Sequence, residues 1–430
     1  MNDDNSGKKF DNIWELYGVK YNPLATSPLL VKGGVLPIES FIGRKEEMNR
    51  LTKQFRSYGG SRCLVVGDIG VGKTSFVNVA RRTALENGYF TPIKEIGVQE
   101  NWSVNEFIMN TLYAIYSTLN LEDRWKKMLT PATYGKLRNL VELTSLETHF
   151  SGIQVIGVGA NISQERREPM HFSYMALSEL FEEIVNEIHV SSKKDMIIHY
   201  NNLERMSDDV LHMIFNDLRD FFQIPHIHFV FIGNLAVHNV LQGMPRFSSI
   251  LSDTPILLKE LEIGQIKEVI AIRMEKLRIK GMDALKPFDE SALEALYSLY
   301  GGNIRNILNS LETAVLYLTN ERAVILDSTM LANALRSAVE KRYLSKLNSK
   351  ARALLEVTVE RDEITNKELS IATKTAASNV SKYLKDLQNS GCVYLKRKDG
   401  KDKYWGADAK IKWMLLEPGA TARKRPYRTV

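Results

Sequence analysis

The stretch Gly67-Asp68-Ile69-Gly70-Val71-Gly72-Lys73-Thr74 decides how this chain folds. It fits the pattern G-x-x-x-x-G-K-[ST] at every fixed position, follows the apolar run at 63–66, and precedes a helical run that starts at Ser75. Glycines in such a loop let backbone N–H groups converge on phosphate oxygens, the lysine adds a positive charge, and the threonine hydroxyl suits Mg²⁺. We therefore predict an α/β P-loop NTPase with a parallel sheet, which binds ATP or ADP with Mg²⁺ through residues 67–75.

The length and composition indicate a multidomain globular protein. At about 100–200 residues per domain, 430 residues are too many for a single core. Hydrophobic residues make up 44% of the chain and charged residues 25%, which excludes disorder for most of it. No apolar run approaches the roughly 18 to 20 residues of a membrane-spanning helix, and the start is too polar for a secretory signal. We expect a cytoplasmic protein with no membrane partner.

The two cysteines exclude some kinds of site. Cys63 and Cys392 are too few and too far apart in sequence for a disulfide framework or a cysteine-based zinc cluster. We expect both to be buried thiols in the core.

Charge is segregated along the chain. Residues 341–430 hold 21 Lys and Arg against 10 Asp and Glu, a balance of +11, whereas residues 1–340 have a balance of −5. The net charge of +6 therefore hides a basic C-terminal fifth on a slightly acidic body. This distribution is typical of a protein in which one module faces a polyanion.

Apolar periodicity divides the N-terminal part of the chain. Residues 1–40 carry scattered Pro and Gly with two aromatic anchors, Trp14 and Tyr17, and predict an extended N-terminal arm. Residues 41–260 alternate helical patterns with apolar runs and predict the ATPase core. Its strand candidates are 63–67, 196–200, 226–233 and 254–261. Residues 121–170 interrupt this alternation as an insertion, in which 149–163 alternates like a hairpin.

The rest of the chain predicts smaller modules. Residues 261–340 carry only helical patterns and predict a lid, with amphipathic stretches at 264–279, 289–300, 304–318 and 327–343. Residues 341–417 predict a separate C-terminal domain, and 418–430 a basic tail.

The acidic residues of a typical ATPase are missing where they are expected. A P-loop ATPase needs an acid at the end of a neighbouring strand to hold the metal, and often a second acid to polarise water. Here the strand ends in Asn201-Asn202-Leu203-Glu204, so that Asn201 takes the place of the metal-organising Asp beside Thr74, and Asn202 the place of the usual Glu. An amide keeps an acceptor for metal-bound water but loses charge and basicity. We expect slow or absent hydrolysis unless Glu204 or Asp195 reaches the site, and whether the chain is an enzyme stays open.

Two further polar residues suit a γ-phosphate. Asn234 follows an apolar strand, where its side chain could contact the γ-phosphate or the attacking water. Arg305 begins a lid helix and could reach the same group. A structural loop Asn and a solvated helix Arg are the alternatives.

These residues together resemble the AAA+ ATPases of the origin-recognition and cell-division-control initiator group, and the related prokaryotic STAND-type ATPases. The resemblance covers about residues 20–415. The stretch Phe41-Ile42-Gly43-Arg44-Lys45-Glu46-Glu47 is similar to the segment that begins the family's domain and cradles the adenine. Residues 67–74 are similar to its Walker A, 201–204 lie at its Walker B, and Asn234 and Arg305 match sensor 1 and sensor 2.

The resemblance also implies a homo-oligomer. In this family an arginine after sensor 1 completes the nucleotide site of the adjacent subunit. Arg246 is the candidate here, because it is the sole Lys or Arg between Asn234 and Asp253. An ordinary surface arginine is as good an interpretation.

The C-terminal domain resembles a winged helix-turn-helix. Thr365-Asn366-Lys367-Glu368 predicts a capping box that opens a helix with Leu369 and Ile371 on its apolar side. The next helix, 376–389, places its apolar and polar residues on different faces, and Asp399-Gly400 marks a hairpin. Candidate DNA-binding residues are Ser378, Ser381, Lys382 and Lys385 on the helix, with Lys396, Arg397, Lys398, Lys401 and Lys403 on the wing.

Two functions from different classes fit these features. The favoured hypothesis is an initiator-like AAA+ switch that binds Mg-ATP and duplex DNA and assembles according to its nucleotide state. Replication of a mobile element, transposition and anti-phage defence are compatible roles. The alternative is a STAND-like signalling scaffold whose winged helix recruits a protein effector.

Overall fold

A computed structural model describes residues 12–151, 173–252, 254–361, 363–399, 402–408, 411, 412 and 415. The chain divides into two units. One is Ser27–Glu260, and the other combines Met1–Thr26 with Leu261–Val430.

The first unit is built on a parallel sheet. Its described strands are β1 (Ser61–Gly67), β2 (Ile96–Gly97), β3 (Met196–Asn201), β4 (Ile227–Gly233) and β5 (Ile256–Leu258). They lie in the order β2-β3-β4-β1-β5, and each neighbouring pair is parallel. The predicted parallel α/β fold is confirmed. β5 is shorter than the predicted 254–261, since at this edge Leu257 points outward and is exposed.

Helices cover the sheet. Those of the first unit are α1 (Lys45–Phe55), α2 (Lys73–Glu86), α3 (Val104–Leu119), α4 (Asp123–Lys126), α5 (Pro131–Ser151), α6 (Tyr174–Ser192), α7 (Asp208–Asp217), α8 (Leu235–Gln242) and α9 (Pro245–Ser248). Successive residues of a strand pack into two different hydrophobic cores, one on each face of the sheet. In β4, Phe229 and Phe231 join an aromatic-rich cluster, whereas Val230 and Ile232 join the cluster that packs on α1 and α2. This alternation is what a strand buried on both faces requires.

The predicted insertion is partly described. Its helices α4 and α5 pack Trp125, Leu137 and Val141 into the aromatic-rich core. Residues 149–151 end α5, so they are helical and not part of a hairpin. The rest of the predicted hairpin lies outside the described residues.

The second unit contains the helical segment and the C-terminal module around one shared core. The helices α10 (Ile263–Lys276), α11 (Glu290–Tyr300), α12 (Ile304–Leu318) and α13 (Ser328–Arg342) follow the predicted ranges closely. Next come α14 (Ser349–Glu360), β6 (Ile364–Thr365), α15 (Asn366–Thr373), α16 (Ala377–Asn389), β7 (Val393–Asp399) and β8 (Asp402–Ala407). The last strands form an antiparallel sheet in the order β6-β8-β7.

Local signals in the C-terminal module are mostly confirmed. Thr365 and Glu368 form the predicted capping box at the start of α15. Leu369 is fully buried, but Ile371 is 70% exposed, so the prediction that both lie on an apolar side is wrong for Ile371. Ile371 follows Leu369 by two residues, so on a helix its side chain points away from the face that buries Leu369.

The N-terminal segment differs from the predicted extended arm. Ile13–Tyr17 is a 3-10 helix capped by the Asn12 side chain. Trp14 and Tyr17 are buried in the core of the second unit. The Tyr17 hydroxyl lies 2.6 Å from Thr319 Oγ1, donates to the Val324 carbonyl at 3.0 Å and accepts from the Val324 amide at 3.0 Å. The sequence of this segment shows no regular pattern. The segment is ordered because its two aromatic rings are buried in a core and the Tyr17 hydroxyl has hydrogen-bond partners.

Two further expectations can be compared with the structure. Cys63 and Cys392 are buried thiols that form no disulfide, as predicted. None of the helices in the described part of the chain combines the length and apolar character needed to cross a membrane.

Tyr17 is expected to stabilise the second unit from outside the lid sequence. Tyr17→Ala should lower the free energy of unfolding by about 3–5 kcal/mol, as for other large aromatic side chains removed from a core. Chemical denaturation measures this change. Tyr21→Ala is the control, since Tyr21 is half exposed, and equal effects of the two changes would contradict the proposed anchor.

Candidate nucleotide site

The phosphate loop has the predicted form. It connects β1 to α2, and Gly72 is the N-cap of α2 with φ +94°, in the left-handed region. At Gly67 an added Cβ would lie 2.4 Å from the Leu258 carbonyl oxygen, because β1 and β5 approach closely there. Glycine is therefore required at both ends of the loop. The N-terminus of α2 directs its unpaired N–H groups and positive dipole end at the loop.

Lys73 lies against the loop that it closes. Its ammonium is buried and donates to the carbonyls of Gly67 at 2.9 Å and Asp68 at 3.0 Å. Asp68 and Ile69 are exposed at the tip, whereas Val71 is buried in the core beside α2. Gly70 has φ +93°, so it makes the turn between the exposed tip and Val71. The loop thus presents backbone amides and one fixed cation to an anion.

Ser75 has a different contact from the one expected of a ligand-binding side chain. Its hydroxyl accepts a hydrogen bond from the Leu29 amide at 3.1 Å. The side chain therefore holds the segment that leads to Phe41 against α2.

Arg44 connects the expected adenine segment to the phosphate loop. Phe41 and Ile42 are half-buried, and the Phe41 ring lies 6.2 Å from that of Phe76 on α2. Arg44 Nη2 donates to the carbonyls of Val71 at 3.0 Å and Lys259 at 2.6 Å. Burial lowers the pKa of Arg44, and the nearby charges of Glu47 and Glu260 oppose this shift. The resemblance places Arg44 only within the adenine segment, since nothing in its neighbours signals a bond to residue 71.

The strand-end amide contacts the phosphate loop. Thr74 Oγ1 donates to Asn201 Oδ1 at 3.3 Å, and the same oxygen accepts from the Asn202 amide at 3.0 Å. Asn201 is buried at the end of β3. Asn202 has φ +64°, and the 3-10 helix Leu203–Arg205 follows it. The structure therefore brings Thr74 and Asn201 together, as predicted for a metal-organising pair.

A carboxylate that sequence analysis missed lies beside Asn201. Asn201 Nδ2 donates to Glu95 Oε2 at 3.5 Å, a long hydrogen bond, and Asn78 Nδ2 donates to Glu95 Oε1 at 2.6 Å. Glu95 immediately precedes β2, which pairs with β3 in parallel. The register of two distant strands decides this placement. The one signal available in the sequence was a carboxylate next to a strand candidate, and β2 has only two residues.

Buried polar groups continue the hydrogen bonds of Asn201 and Glu95 away from the phosphate loop. Arg81 is fully buried and donates to Asn78 Oδ1 at 2.9 Å, to Thr91 Oγ1 at 2.8 Å and to the Pro92 carbonyl. Burial lowers the pKa of Arg81 to about 9, and the charge of Glu95 opposes the shift. A hydrogen-bonded chain thus runs from Thr74 through Asn201, Glu95 and Asn78 to Arg81. We call it the polar chain.

Asp195 and Glu204, the two acids that could replace the missing strand-end carboxylates, differ in position. Asp195 lies immediately before β3, at the other end of the strand from Asn201, so it does not reach the phosphate loop. Glu204 follows Asn201 by three residues, and its buried Oε2 has no hydrogen-bond partner among the described residues.

Asn234 caps a helix, whereas Arg246 is exposed on the surface of the first unit. Asn234 is the N-cap of α8, and its Oδ1 accepts from the Val237 amide at 3.0 Å, so part of its side chain has a structural function. Arg246 is exposed on α9. Arg219 Nε donates to the Arg246 carbonyl at 3.1 Å, which places a second arginine beside it.

Arg305 lies in the second unit. It is exposed in the first turn of α12, whose N-cap is Asn303. Its predicted contact with nucleotide stays a prediction.

Arg44 should control the shape of the phosphate loop. Arg44→Ala removes two charged hydrogen bonds that hold residues 71 and 259, and bonds of this type contribute about 1.5–3 kcal/mol each. We expect nucleotide affinity to fall by about tenfold or more, measured by titration with a fluorescent ATP analogue. Arg56→Ala, at the exposed end of α1, is the control and should bind normally.

A family model matches part of the first unit. Residues 40–215 match the family model described as AAA ATPase domain, a span that includes the phosphate loop, Glu95 and Asn201. No curated protein sequence matches the chain.

Several solved structures are similar to the chain. The Aeropyrum pernix ORC2 protein in ADPNP and ADP complexes has 13% identity and a TM-score of 0.47, with 91% of this chain and 95% of that chain covered. The Aeropyrum pernix ORC1 protein in complex with DNA has 17% identity and a TM-score of 0.45, with 89% and 94% covered. The Cdc6p protein of Pyrobaculum aerophilum has 14% identity and a TM-score of 0.43, with 93% and 95% covered. The match over residues 40–215 agrees with the predicted AAA+ resemblance for that span, which is similar to the AAA ATPase domain.

Proposed function

We propose that this chain is an initiator-like AAA+ switch that binds Mg-ATP in its first unit and duplex DNA through its C-terminal module. The observation that carries the nucleotide half is the polar chain, which connects the phosphate loop to the end of β3. The observation that carries the DNA half is a set of exposed basic residues on α16 and the hairpin. The cytoplasmic location expected from the sequence belongs to the same proposal.

The residues at the end of β3 fit a magnesium ion. The Thr74 hydroxyl, the Asn201 amide oxygen and the Glu95 carboxylate are all oxygen donors, the type that Mg²⁺ prefers. Together with the glycine-lined loop they form a suitable cradle for a metal–phosphate group. When bound, the ion neutralises charge on the phosphate oxygens. The role of this chain's residues is to orient the phosphates and hold the waters around the ion.

Glu95 supplies the negative charge that Asn201 lacks. An aspartate at 201 would place a second carboxylate against Glu95, and two carboxylates in contact repel each other. An asparagine avoids this repulsion, since its NH₂ donates to Glu95 while its oxygen accepts from Thr74. The metal-organising carboxylate is therefore contributed from the residue before β2 rather than from β3.

Slow hydrolysis is consistent with this arrangement. Glu95 accepts hydrogen bonds from the amides of Asn78 and Asn201, so its oxygens hold the site together rather than point at an attacking water. Glu204 remains the acid nearest in sequence to the strand end. A chain that binds nucleotide tightly and turns it over slowly acts as a switch rather than a motor.

Replacing Glu95 should weaken the metal-dependent part of nucleotide binding. Glu95→Gln keeps the shape and removes the charge, so the affinity for ATP with Mg²⁺ should fall by about tenfold, while the affinity in EDTA stays nearly constant. Calorimetric titration under both conditions measures the difference. Glu100→Gln, an exposed carboxylate on the same segment, is the control. An equal loss with and without metal would show that Glu95 is only structural.

We propose that the C-terminal module acts as a DNA-binding winged helix. Val380, Leu384 and Leu387 face its core, which leaves the opposite side of α16 in solvent. That side carries the exposed residues Ser378, Ser381, Lys382 and Lys385. Ser381 also contacts α15, because its hydroxyl accepts from Asn366 Nδ2 at 3.1 Å. We infer that α16 enters the major groove.

The hairpin would contact the DNA backbone. Lys396 and Lys403 are exposed, and the Lys396 side chain packs over Gly406 on the neighbouring strand. Arg397 and Lys398 lie in β7 opposite Tyr404 and Lys403. Lys401 and the basic tail lie outside the described residues. Cations on a wing bind phosphate without reading sequence.

Subunit contacts would connect the two halves of the switch. The exposed Arg246, next to Arg219, is suitable for reaching the γ-phosphate of a neighbouring copy. For Arg305, exposed on α12, we retain the sensor role that the resemblance implies. ATP would then favour assembly on DNA. Comparing DNA affinity and oligomer size with ATP, with ADP and without nucleotide tests this coupling.

The DNA interface should depend on the lysines of α16. The double change Lys382→Gln and Lys385→Gln should lower affinity for duplex DNA about tenfold and reduce the slope of log affinity against log salt by up to about two, since each phosphate contact contributes about 0.9. Fluorescence anisotropy at several salt concentrations measures both quantities. Changing Lys276 and Lys280, two exposed lysines of the helical segment, to Gln is the matched control.

One observation favours a protein partner as the second candidate. Ile371 on α15 and Tyr394 on β7 are large apolar side chains that remain exposed on the C-terminal module. Such residues suit a protein surface better than a phosphate backbone. DNA binding that is weak at all salt concentrations and insensitive to the α16 lysines would favour this scaffold function.

A further inference from the structure

Three histidines and one aspartate meet at the edge of the five-stranded sheet opposite the phosphate loop. Asp195 immediately precedes β3, His226 precedes β4, and His228 is the second residue of β4. His189 lies in the last turn of α6, which leads into β3. Because parallel strands begin at the same edge, the topology gathers these residues from a span of 40 positions, 189–228, into one place. We call them the His-Asp cluster.

The distances in the cluster suit a metal ion. Asp195 Oδ1 lies 3.0 Å from His189 Nδ1 and 3.2 Å from His226 Nδ1. These three atoms all lie within 4.8 Å of one another. Zinc binds nitrogen and oxygen at about 2.0–2.2 Å, so two ligand atoms of a tetrahedral site lie roughly 3.4 Å apart. The two distances from Asp195 Oδ1 to the histidine nitrogens are close to this value.

Buried nitrogens in the cluster have no hydrogen-bond partner. His189 Nδ1 is near Asp195 but not oriented for a hydrogen bond, and His228 Nε2, which is fully buried, lies 3.6 Å from Asp195 Oδ2. Buried polar atoms are almost always satisfied, and an orphan indicates a missing water or ion. Two orphans beside one buried carboxylate point to a positive charge between them.

The backbone and the neighbouring rings hold the histidines in place. His226 has φ +63°, a left-handed conformation that is uncommon outside glycine, and its ring stacks on that of His189 with centroids 3.7 Å apart. The other nitrogen of His228, Nδ1, lies 2.8 Å from Ser61 Oγ. Tyr58 lies edge-on to His226. The rings of His189 and His226 are nearly parallel, with 20° between their planes, so one of them must turn out of the stack for both Nδ1 atoms to bind one ion.

We propose that His189, Asp195 and His226 bind a divalent transition-metal ion of the zinc type, next to His228. Two imidazoles and a carboxylate are the donor set that zinc accepts, with water completing a catalytic or partly open site. The rings of His189 and His226 are 22% exposed, which gives the ion and a water molecule access. The bound ion would tie the end of α6 to the starts of β3 and β4. It would act as a structural clamp, separate from the Mg-ATP site at the other ends of these strands.

Metal titration of the full-length protein tests the site. After treatment with EDTA, the protein is titrated with Co²⁺, and we expect one ion per chain with the visible absorption of a low-symmetry, near-tetrahedral site. Zn²⁺ should displace the cobalt and raise the midpoint of thermal unfolding. No saturable binding in the wild-type chain would overturn the proposal.

Variants separate a metal site from a purely packed cluster. His226→Gln should lower zinc affinity by on the order of 100-fold or more, while His212→Gln, an exposed histidine on α7, should bind zinc as the wild type does. ATP binding by the phosphate loop shows whether each variant is folded. If His226→Gln unfolds, Asp195→Asn and the effect of zinc on wild-type unfolding decide the question. Unchanged zinc binding in a folded His226→Gln variant would show that the cluster is not the site.

Discussion

The contact between Glu95 and the amide of Asn201 is the interaction on which the nucleotide site depends. A carboxylate in a mostly buried position must be neutralised or hydrogen-bonded, and Glu95 has both, from two amides and from the charge of Arg81. Asn201 can bridge Glu95 and Thr74 because an amide donates from one end and accepts at the other. In the proposed function the asparagine at the strand end is therefore part of a rearranged site, in which Glu95 takes over the charge of the acid expected at 201.

The same sheet organises two clusters at its opposite edges. β3 and β4 begin beside Asp195 and His226 and end at Asn201 and Gly233, so one pair of strands spans both places. Their residues are buried throughout, and the alternating side chains pack into two different cores. A close-packed strand pair of this kind fixes the distance and orientation of the groups at each end. Both the Asn201 contacts and the His-Asp cluster thus lie where β3 and β4 begin or end, which is where a parallel sheet exposes backbone and loops.

The sequence predicted well those features that depend on neighbours along the chain. The phosphate loop, the capping box at Thr365 and the helices of the second unit are produced by spacing within a few residues, and the structure confirms them. Predictions were less accurate where the burial of a side chain depends on residues that are distant in sequence. Ile371 fits a helical apolar pattern but has no core to face, and Trp14 and Tyr17 lie in an irregular segment but find one. Whether such a side chain is buried depends on which distant segments pack against it. Apolar periodicity along the chain carries no information about those segments.

By itself, the sequence determined the fold class, the position of the phosphate loop, the loss of the strand-end acids and the concentration of positive charge at one end. Each of these follows from residue type, local spacing or composition. Only the tertiary structure decided that Glu95 lies beside Asn201, that Arg44 holds residue 71, and that three histidines surround Asp195. The reason is that these contacts join segments on different strands and helices, and strand order and register are set by the packing of the whole sheet.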